Sequence, residues 1–263
     1  MTLRIVTAAI AIPALLGAVW LGTPAIAAVV LLAAAISGWE LADMVRARSL
    51  SPLRWAYIAW PISLVITGWL VAENQAGWWV MLATAGTGTL IAFYLLATGR
   101  RTAFVYAVVA GPYVGVALAH APILRSIDDG AQWLLLALIV TFAADTAAML
   151  TGVTFGRHKL MPRISPNKSW EGLIGALAGG GIAALVVEIA FDLEIATAMA
   201  VVLGVVMAIA GTLGDLGESA FKRRAGVKDS GFLIPGHGGV LDRLDSLLPN
   251  LVIVYWVSEW STT

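Results

Sequence analysis

Nine apolar runs separated by short polar stretches set the pattern of this chain: roughly 5–22, 25–45, 54–72, 77–97, 103–124, 131–153, 170–191, 196–219 and 245–260. Most approach the length of about 20 residues that carries an α-helix across the hydrocarbon core of a bilayer. They are continuous rather than alternating, which argues against the strands of a transmembrane barrel. A spanning segment must pair its own backbone polar groups, so the reading is an all-α, polytopic integral membrane protein of about nine helices. The last run is short, and its start merges with the polar loop before it.

The basic residues divide the polar stretches into two sets. Arg4 precedes the first run, and Arg46, Arg48 and Arg54 lie between the second and third. Arg100 and Arg101 follow the fourth, and Arg157, Lys159, Arg163 and Lys168 follow the sixth. Lys222, Arg223, Arg224, Lys228 and Arg243 lie between the eighth and ninth. Of the 16 Lys and Arg, only Arg125, beside Asp128 and Asp129, falls on the other side. The positive-inside rule makes the basic side cytoplasmic, with the N-terminus inside and the C-terminus outside. The expected location is the inner (plasma) membrane. Arg4, the first run and Ala25-Ile26-Ala27 also have the outline of a signal peptide. Cleavage there would leave the second run without its hairpin partner, so the first run is read as a retained anchor.

Composition sharpens the class: 60% of residues are hydrophobic and 12% charged. With no cysteine, disulfides, thiolate nucleophiles and cysteine–zinc sites are excluded. The region 1–125 reads as a lipid-facing scaffold of helices, and 126–263 as a catalytic region with cytoplasmic loops 154–169 and 220–244. Trp55, Trp60, Trp69, Trp78 and Trp79 fall near span ends, as interfacial anchors do. Gly86 and Gly88, and Gly179 to Gly181, suggest close helix packing. Glu40 and Asp43 end the second run near Arg46, where a local ion pair is the preferred reading.

Chemistry concentrates in Gly214–Ser246, GDLGESAFKRRAGVKDSGFLIPGHGGVLDRLDS. Asp215 and Glu218, and Asp242 and Asp245, are each three apart, which puts each pair on one helix face. Carboxylates crowded at one membrane depth repel unless a cation sits among them, and hard oxygen ligands suit Mg²⁺ or Mn²⁺. Salt bridges to Lys222, Arg223 and Arg243 are the plainer alternative. Asp145 lies inside the sixth run and must face a cavity or the bundle interior. Gly236-His237-Gly238-Gly239 offers a backbone nest for an anion, ringed by Lys222, Arg223, Lys228 and Arg243. His237 is open to three roles: phosphate contact, proton transfer or capping the turn. In the other loop, Ser165 or Ser169 caps the seventh run, and a helix start beside Lys168 is a ready anion site.

These residues resemble the signature of the phosphatidate cytidylyltransferase (CDP-diacylglycerol synthase) family. The matching positions are Ser219, Lys222-Arg223, Lys228-Asp229-Ser230-Gly231, Pro235, His237-Gly238-Gly239 and Asp242-Arg243-Leu244-Asp245. Upstream, Ala144-Asp145-Thr146, Phe155-Gly156, Lys159-Leu160 and Ile164-Ser165-Pro166-Asn167-Lys168-Ser169-Trp170-Glu171-Gly172 also look like the family. Ser169 stands where Thr is expected, which keeps the hydroxyl. Trp39-Glu40 is weakly family-like.

The resemblance implies that CTP and phosphatidic acid give CDP-diacylglycerol and pyrophosphate, with Mg²⁺ and no organic cofactor. Asp215 and Asp242, then Glu218 and Asp245, are the expected metal ligands. Asp215, Asp242, Asp245, Lys222 and Arg243 are the expected catalytic residues. Lys168, Ser165, Ser169, Ser219, Arg223, Lys228, Asp229, His237, Gly238 and Gly239 are the expected substrate contacts. Expected partners are membrane lipids and, at family level, a second copy, but no nucleic acid. Two rivals stand beside this reading: a nucleotidyltransferase or kinase acting on a polyprenyl lipid, and an ion-coupled transporter using Asp145, Asp215 and Glu218. The one-sided gathering of polar residues favours an enzyme.

Overall fold

Every apolar run folds as helix. This computed structural model describes residues 2–44, 51–99, 101–193, 195–231 and 238–261. Expectations placed on Arg46, Arg48, Arg100, Pro235, Gly236 and His237 lie outside the described residues. In order, the helices are α1 (Thr2–Leu21), α2 (Thr23–Met44), α3 (Ser51–Ala72) and α4 (Trp78–Ala97). The fifth run is α5 (Arg101–Val108), a π-helical turn (Val109–Gly115) and α6 (Val116–Ser126). Then come α7 (Gly130–Phe155), a hairpin of β1 (Lys159–Met161) and β2 (Ser165–Ser169), α8 (Trp170–Phe191) and α9 (Thr197–Ala225). The chain ends with the single turn α10 (Leu241–Leu244) and α11 (Leu247–Ser261). Among the described residues six helices are long and apolar enough to cross a membrane: α2, α3 from Trp55, α4, α7, α8 and α9. The protein is an all-α, multi-pass membrane protein.

The chain forms two compact units, one of Met1–Asp128 with Asp229–Arg243, the other of Asp129–Lys228 with Leu244–Thr263. The polar loop 220–244 does not stay with the C-terminal region, however; most of it joins the N-terminal helices. The cause is Glu40 of α2, whose carboxylate accepts hydrogen bonds from Ser230, Val240 and Leu241.

In the first unit, Ile26, Leu41, Leu64, Leu118 and Leu124 are fully buried. Trp60 departs from its expected place in an interfacial belt. Its indole packs where a Cβ on Gly88 or Gly111 would stand, so two helices close around it. Gly88 thus serves close packing as expected, whereas Gly86 faces open space. The π-helical turn contains Pro112, which has no N–H to continue the regular ladder. Arg125 donates from Nε to the Val19 carbonyl at 2.7 Å, tying α6 to α1.

The second unit is built on small residues. Ala144, Ala176 and Ala208 form a buried cluster joining α7, α8 and α9. A Cβ on Gly180 would stand 2.6 Å from the Gly204 carbonyl oxygen, and one on Gly179 would stand 2.5 Å from Ala147 Cβ. In lipid, helix association rests on van der Waals packing rather than on escape from water, so such backbone approach is the main source of cohesion. Asn250 of α11 adds a buried hydrogen bond to Thr141 of α7 at 2.8 Å.

Gly180→Ala should therefore lower stability by about 1–3 kcal/mol, the usual cost of overpacking. Gly86→Ala, with nothing within 4 Å of the new methyl, should leave it unchanged or slightly raised. Thermal unfolding of the detergent-solubilised protein checks both, and equal losses would refute the glycine contact.

Candidate active site

The hairpin after α7 positions the first site residues. β1 and β2 pair antiparallel, with Lys159 opposite Ser169 and Met161 opposite Ser165. Ser169 is the cap of α8: its Oγ accepts the Gly172 N–H at 3.1 Å, satisfying one orphan donor of the helix start. It is buried because Gly152, Gly156 and Gly172 leave room; a Cβ on Gly156 would lie 2.9 Å from that Oγ. Ser165 sits at the start of β2 and makes no cap. Glu171 grips the other end of the hairpin. Its carboxylate accepts the His158 N–H at 3.3 Å and lies 2.7 Å from His158 Nδ1. Trp170 N–H donates to the His158 carbonyl at 2.9 Å. So held, the hairpin presents Lys168, whose Nζ lies 2.8 Å from Asp215 Oδ2.

Asp215 belongs to α9, which runs past the expected end of its apolar run to Ala225. Helical spacing stacks the polar residues on this last stretch. Ser219 donates to Asp215 Oδ1 at 3.3 Å, and Lys222 Nζ lies 2.7 Å from Glu218 Oε2. Glu218 is buried, so the lysine neutralises a charge that water cannot reach. The helix stops at Gly226 in the left-handed conformation (φ +73°), with Lys222, Arg223 and Arg224 in the last turn, where positive charge meets the negative end of the helix dipole. Arg223 is exposed and bonds the carbonyls of Ile164 and Val227. It thereby links α9 to the hairpin.

Asp245 completes this set. It occupies the turn before α11, outside the long apolar helices, and is buried. Burial first, and then the neighbouring Asp215 charge, push its carboxyl up to about 7, with Asp145 adding a smaller push. The Ser246 N–H and a hydrogen bond with Glu218 pull the other way. Asp145 itself is exposed on α7.

The remaining site residues belong to the first unit. Asp242 accepts the Ser230 N–H at 3.2 and 3.1 Å, one to each oxygen, and the Gly239 N–H at 2.8 Å. Gly238 is left-handed (φ +81°), and a Cβ there would stand 2.7 Å from Asp242 Oδ2. These glycines are therefore required by the loop's own fold. Glu40 is buried beneath the same loop; its oxygens take the Val240 N–H at 2.8 Å, the Leu241 N–H at 2.9 Å and the Ser230 hydroxyl at 3.0 Å. Lys228, Asp229 and Arg243 are exposed.

The structure thus brings Lys168, Asp215, Glu218, Ser219, Lys222, Arg223 and Asp245 together, and separately binds Asp242, Gly238 and Gly239 into one loop. The ion-pair alternative holds for Glu218 with Lys222. Among the described residues, no group of three or more His, Asp or Glu is arranged to hold a metal ion. Sequence reasoning gave Glu40 a local role and left Glu171 and His158 without one. The Trp39-Glu40 resemblance was the one signal pointing to the first.

Ser169→Ala removes the α8 cap and should cost about 1 kcal/mol of stability, together with a fall in activity as Lys168 loses its fixed strand. Thermal unfolding and turnover measured on the same preparation check this; unchanged values would deny the cap a role.

Comparison with known proteins extends the match along the chain. A family model described as "Cytidylyltransferase family" covers residues 2–260. A Staphylococcus saprophyticus protein named phosphatidate cytidylyltransferase is 36% identical over 186 residues, which is 68% of this chain and 71% of that protein. A Mycobacterium bovis protein of the same name is 42% identical over 130 residues, 49% of this chain and 42% of its own length. A Mycobacterium leprae protein, again of that name, is 44% identical over 127 residues, covering 48% and 40% respectively.

Proposed function

The chain belongs to the cytidylyltransferase family, and on that premise we propose that it transfers the cytidylyl group of CTP to phosphatidic acid, releasing pyrophosphate and forming CDP-diacylglycerol. The observation that carries this reading is the Lys168–Asp215 ion pair. It joins the two separate sequence segments that resemble the family, and sets base against acid where a phosphate and a cation would compete for them.

In this reading an oxygen of the lipid phosphate attacks the α-phosphorus of CTP. The bond from that phosphorus to the bridging oxygen breaks, and pyrophosphate leaves with the electron pair. The nucleophile is already anionic, so no covalent enzyme intermediate is needed. The protein's task is to overcome repulsion between two polyanions and to align them. Lys168, Lys222, Arg223, Lys228 and Arg243 supply the positive charge. Lys168 can exchange Asp215 for a phosphate if a cation takes its place on Asp215, whereas Lys222 stays with buried Glu218. The anion nest expected at Gly238–Gly239 is narrowed, because the Gly239 N–H is already given to Asp242.

The carboxylates fit a hard divalent cation. Burial first, and then the Asp215 charge, raise the Asp245 carboxyl; a cation between the two would relieve the second of these. Mg²⁺ is commonly held by one or two carboxylates with substrate phosphates completing its shell, so a set smaller than three agrees with this use. Asp215 and Asp245 would hold the ion. Glu218 is held by Lys222, and Asp242 spends its oxygens on the loop. When bound, Mg²⁺ or Mn²⁺ would neutralise the triphosphate and polarise the α-phosphate. Catalysis facing the cytoplasm at the inner membrane and a homodimeric assembly complete the reading; the first rests on the basic asymmetry, the second on family expectation alone.

Purified protein should release pyrophosphate from CTP with phosphatidate and not with polyprenyl phosphates; the reverse preference would assign it to the polyprenyl rival. EDTA should abolish this activity and Mg²⁺ restore it. Asp215→Asn should lower turnover by about 100-fold, the scale of losing a key electrostatic stabiliser. Near-normal turnover in a folded variant would remove Asp215 from the reaction.

Orientation is open to single-cysteine labelling, since the chain has no cysteine of its own. Cysteine at position 224 should react only from the cytoplasm and cysteine at position 192 only from outside. Labelling of both from one face would overturn the assigned topology.

A further inference from the structure

Glu40 has no assigned part in the reaction, yet its buried carboxylate accepts from three donors. It lies at 4% exposure near the end of α2. Its three donors, the Ser230 hydroxyl and the Val240 and Leu241 N–H groups, come from a loop some 200 residues later in the chain. Two further features show that the loop is shaped to this carboxylate. A Cβ on Gly231 would stand 2.6 Å from Glu40 Oε1, and one on Gly239 would overlap Ser230 Oγ and lie 2.6 Å from the same oxygen. Glycine at these two positions therefore lets the loop close over the acid. Asp242 holds the same stretch by the Ser230 and Gly239 N–H groups. The Gly238–Gly239 backbone thus lies between two carboxylates, Asp242 of α10 and Glu40 of α2.

We propose that Glu40 is a positioning residue for cytidylyl transfer: by holding the Val240 and Leu241 N–H groups it fixes the start of α10, which carries Asp242 and Arg243, without touching substrate itself. A buried carboxylate suits this task. It accepts several bonds at once, each charge-assisted, and any displacement of the loop would strand a charge away from water. Val240 and Leu241 are consequently held before substrate arrives, which is the condition for charge stabilisation without reorganisation during the reaction. The kinetic part of the proposal rests on the cytidylyltransferase reading; the structural part does not.

Glu40→Gln tests it. Glutamine keeps one acceptor oxygen and replaces the other with a donor NH₂ that meets N–H and O–H donors. Hydrogen exchange of the full chain in detergent should show the amides of residues 240 and 241 exchanging at least about 10-fold faster, with α8 and α9 unchanged. Turnover per folded molecule with CTP and phosphatidate should fall by about 100-fold, as misplacement by an ångström does. Gly231→Ala approaches the same carboxylate from the loop side and should give the same local exchange. The double variant should be no worse than the worse single one, because both act through one contact. Should Glu40→Gln fail to fold, Gly231→Ala decides alone. Unchanged exchange at 240 and 241 in either folded variant overturns the proposal. Fast local exchange with turnover within about 3-fold of the wild type reduces Glu40 to a structural support and equally overturns it. Failure of the wild type itself to use phosphatidate defeats the functional reading, while the exchange arm still decides the contact.

Discussion

A carboxylate at the edge of a bilayer must be met by protein donors, because water is scarce and the cost of an uncompensated charge is several kcal/mol. The architecture around the polar segments follows from this constraint. Asp215 is met by Lys168 and Ser219, Glu218 by Lys222, Asp242 by two backbone N–H groups, and Glu40 by three donors from a distant loop. Each pairing also fixes a backbone segment. The acids a chemist would first assign to a metal therefore have an earlier duty as organisers of the loops around them.

The division of labour differs between the two sets. On α9 the acids face lysine side chains, which are long and can change partners. On the loop after Ser230 the acids face backbone N–H groups, which cannot move away without unfolding a turn. One set is suited to exchanging ligands during turnover, the other to staying fixed. Asp245 lies at the exchanging end, where burial and then the Asp215 charge push its carboxyl up to about 7.

Helix positions were legible in the sequence because hydrophobic length and polar interruption are local signals; α2, α7 and α8 fall within a few residues of their expected bounds. The site's composition was legible too, since charge is rare in this chain and stands out where it gathers. Glu40 was not legible. Its role depends on a contact across the sequence, and locally it has the look of an acid near an arginine. Trp60 failed for a related reason: an aromatic near a span end reads as interfacial unless the glycines that receive it, Gly88 and Gly111, are known to face it. The start of α11 moved from Asp245 to Leu247 because Asp245 is engaged with Glu218 and the Ser246 amide rather than with the helix.

The close crossing at Gly180 and Gly204 has a consequence for how this protein tolerates change. In a soluble core, replacing a buried residue by a polar one and by a larger apolar one fail for different reasons, solvation and volume. At a crossing built from glycine and alanine inside lipid, any added atom is excluded whatever its chemistry, so leucine is as unwelcome as asparagine. At these positions of α8 and α9 the contact leaves no space for a side chain. Their identities are invisible to a hydropathy scale, which ranks leucine far above glycine and would mistake the most damaging substitution for an improvement.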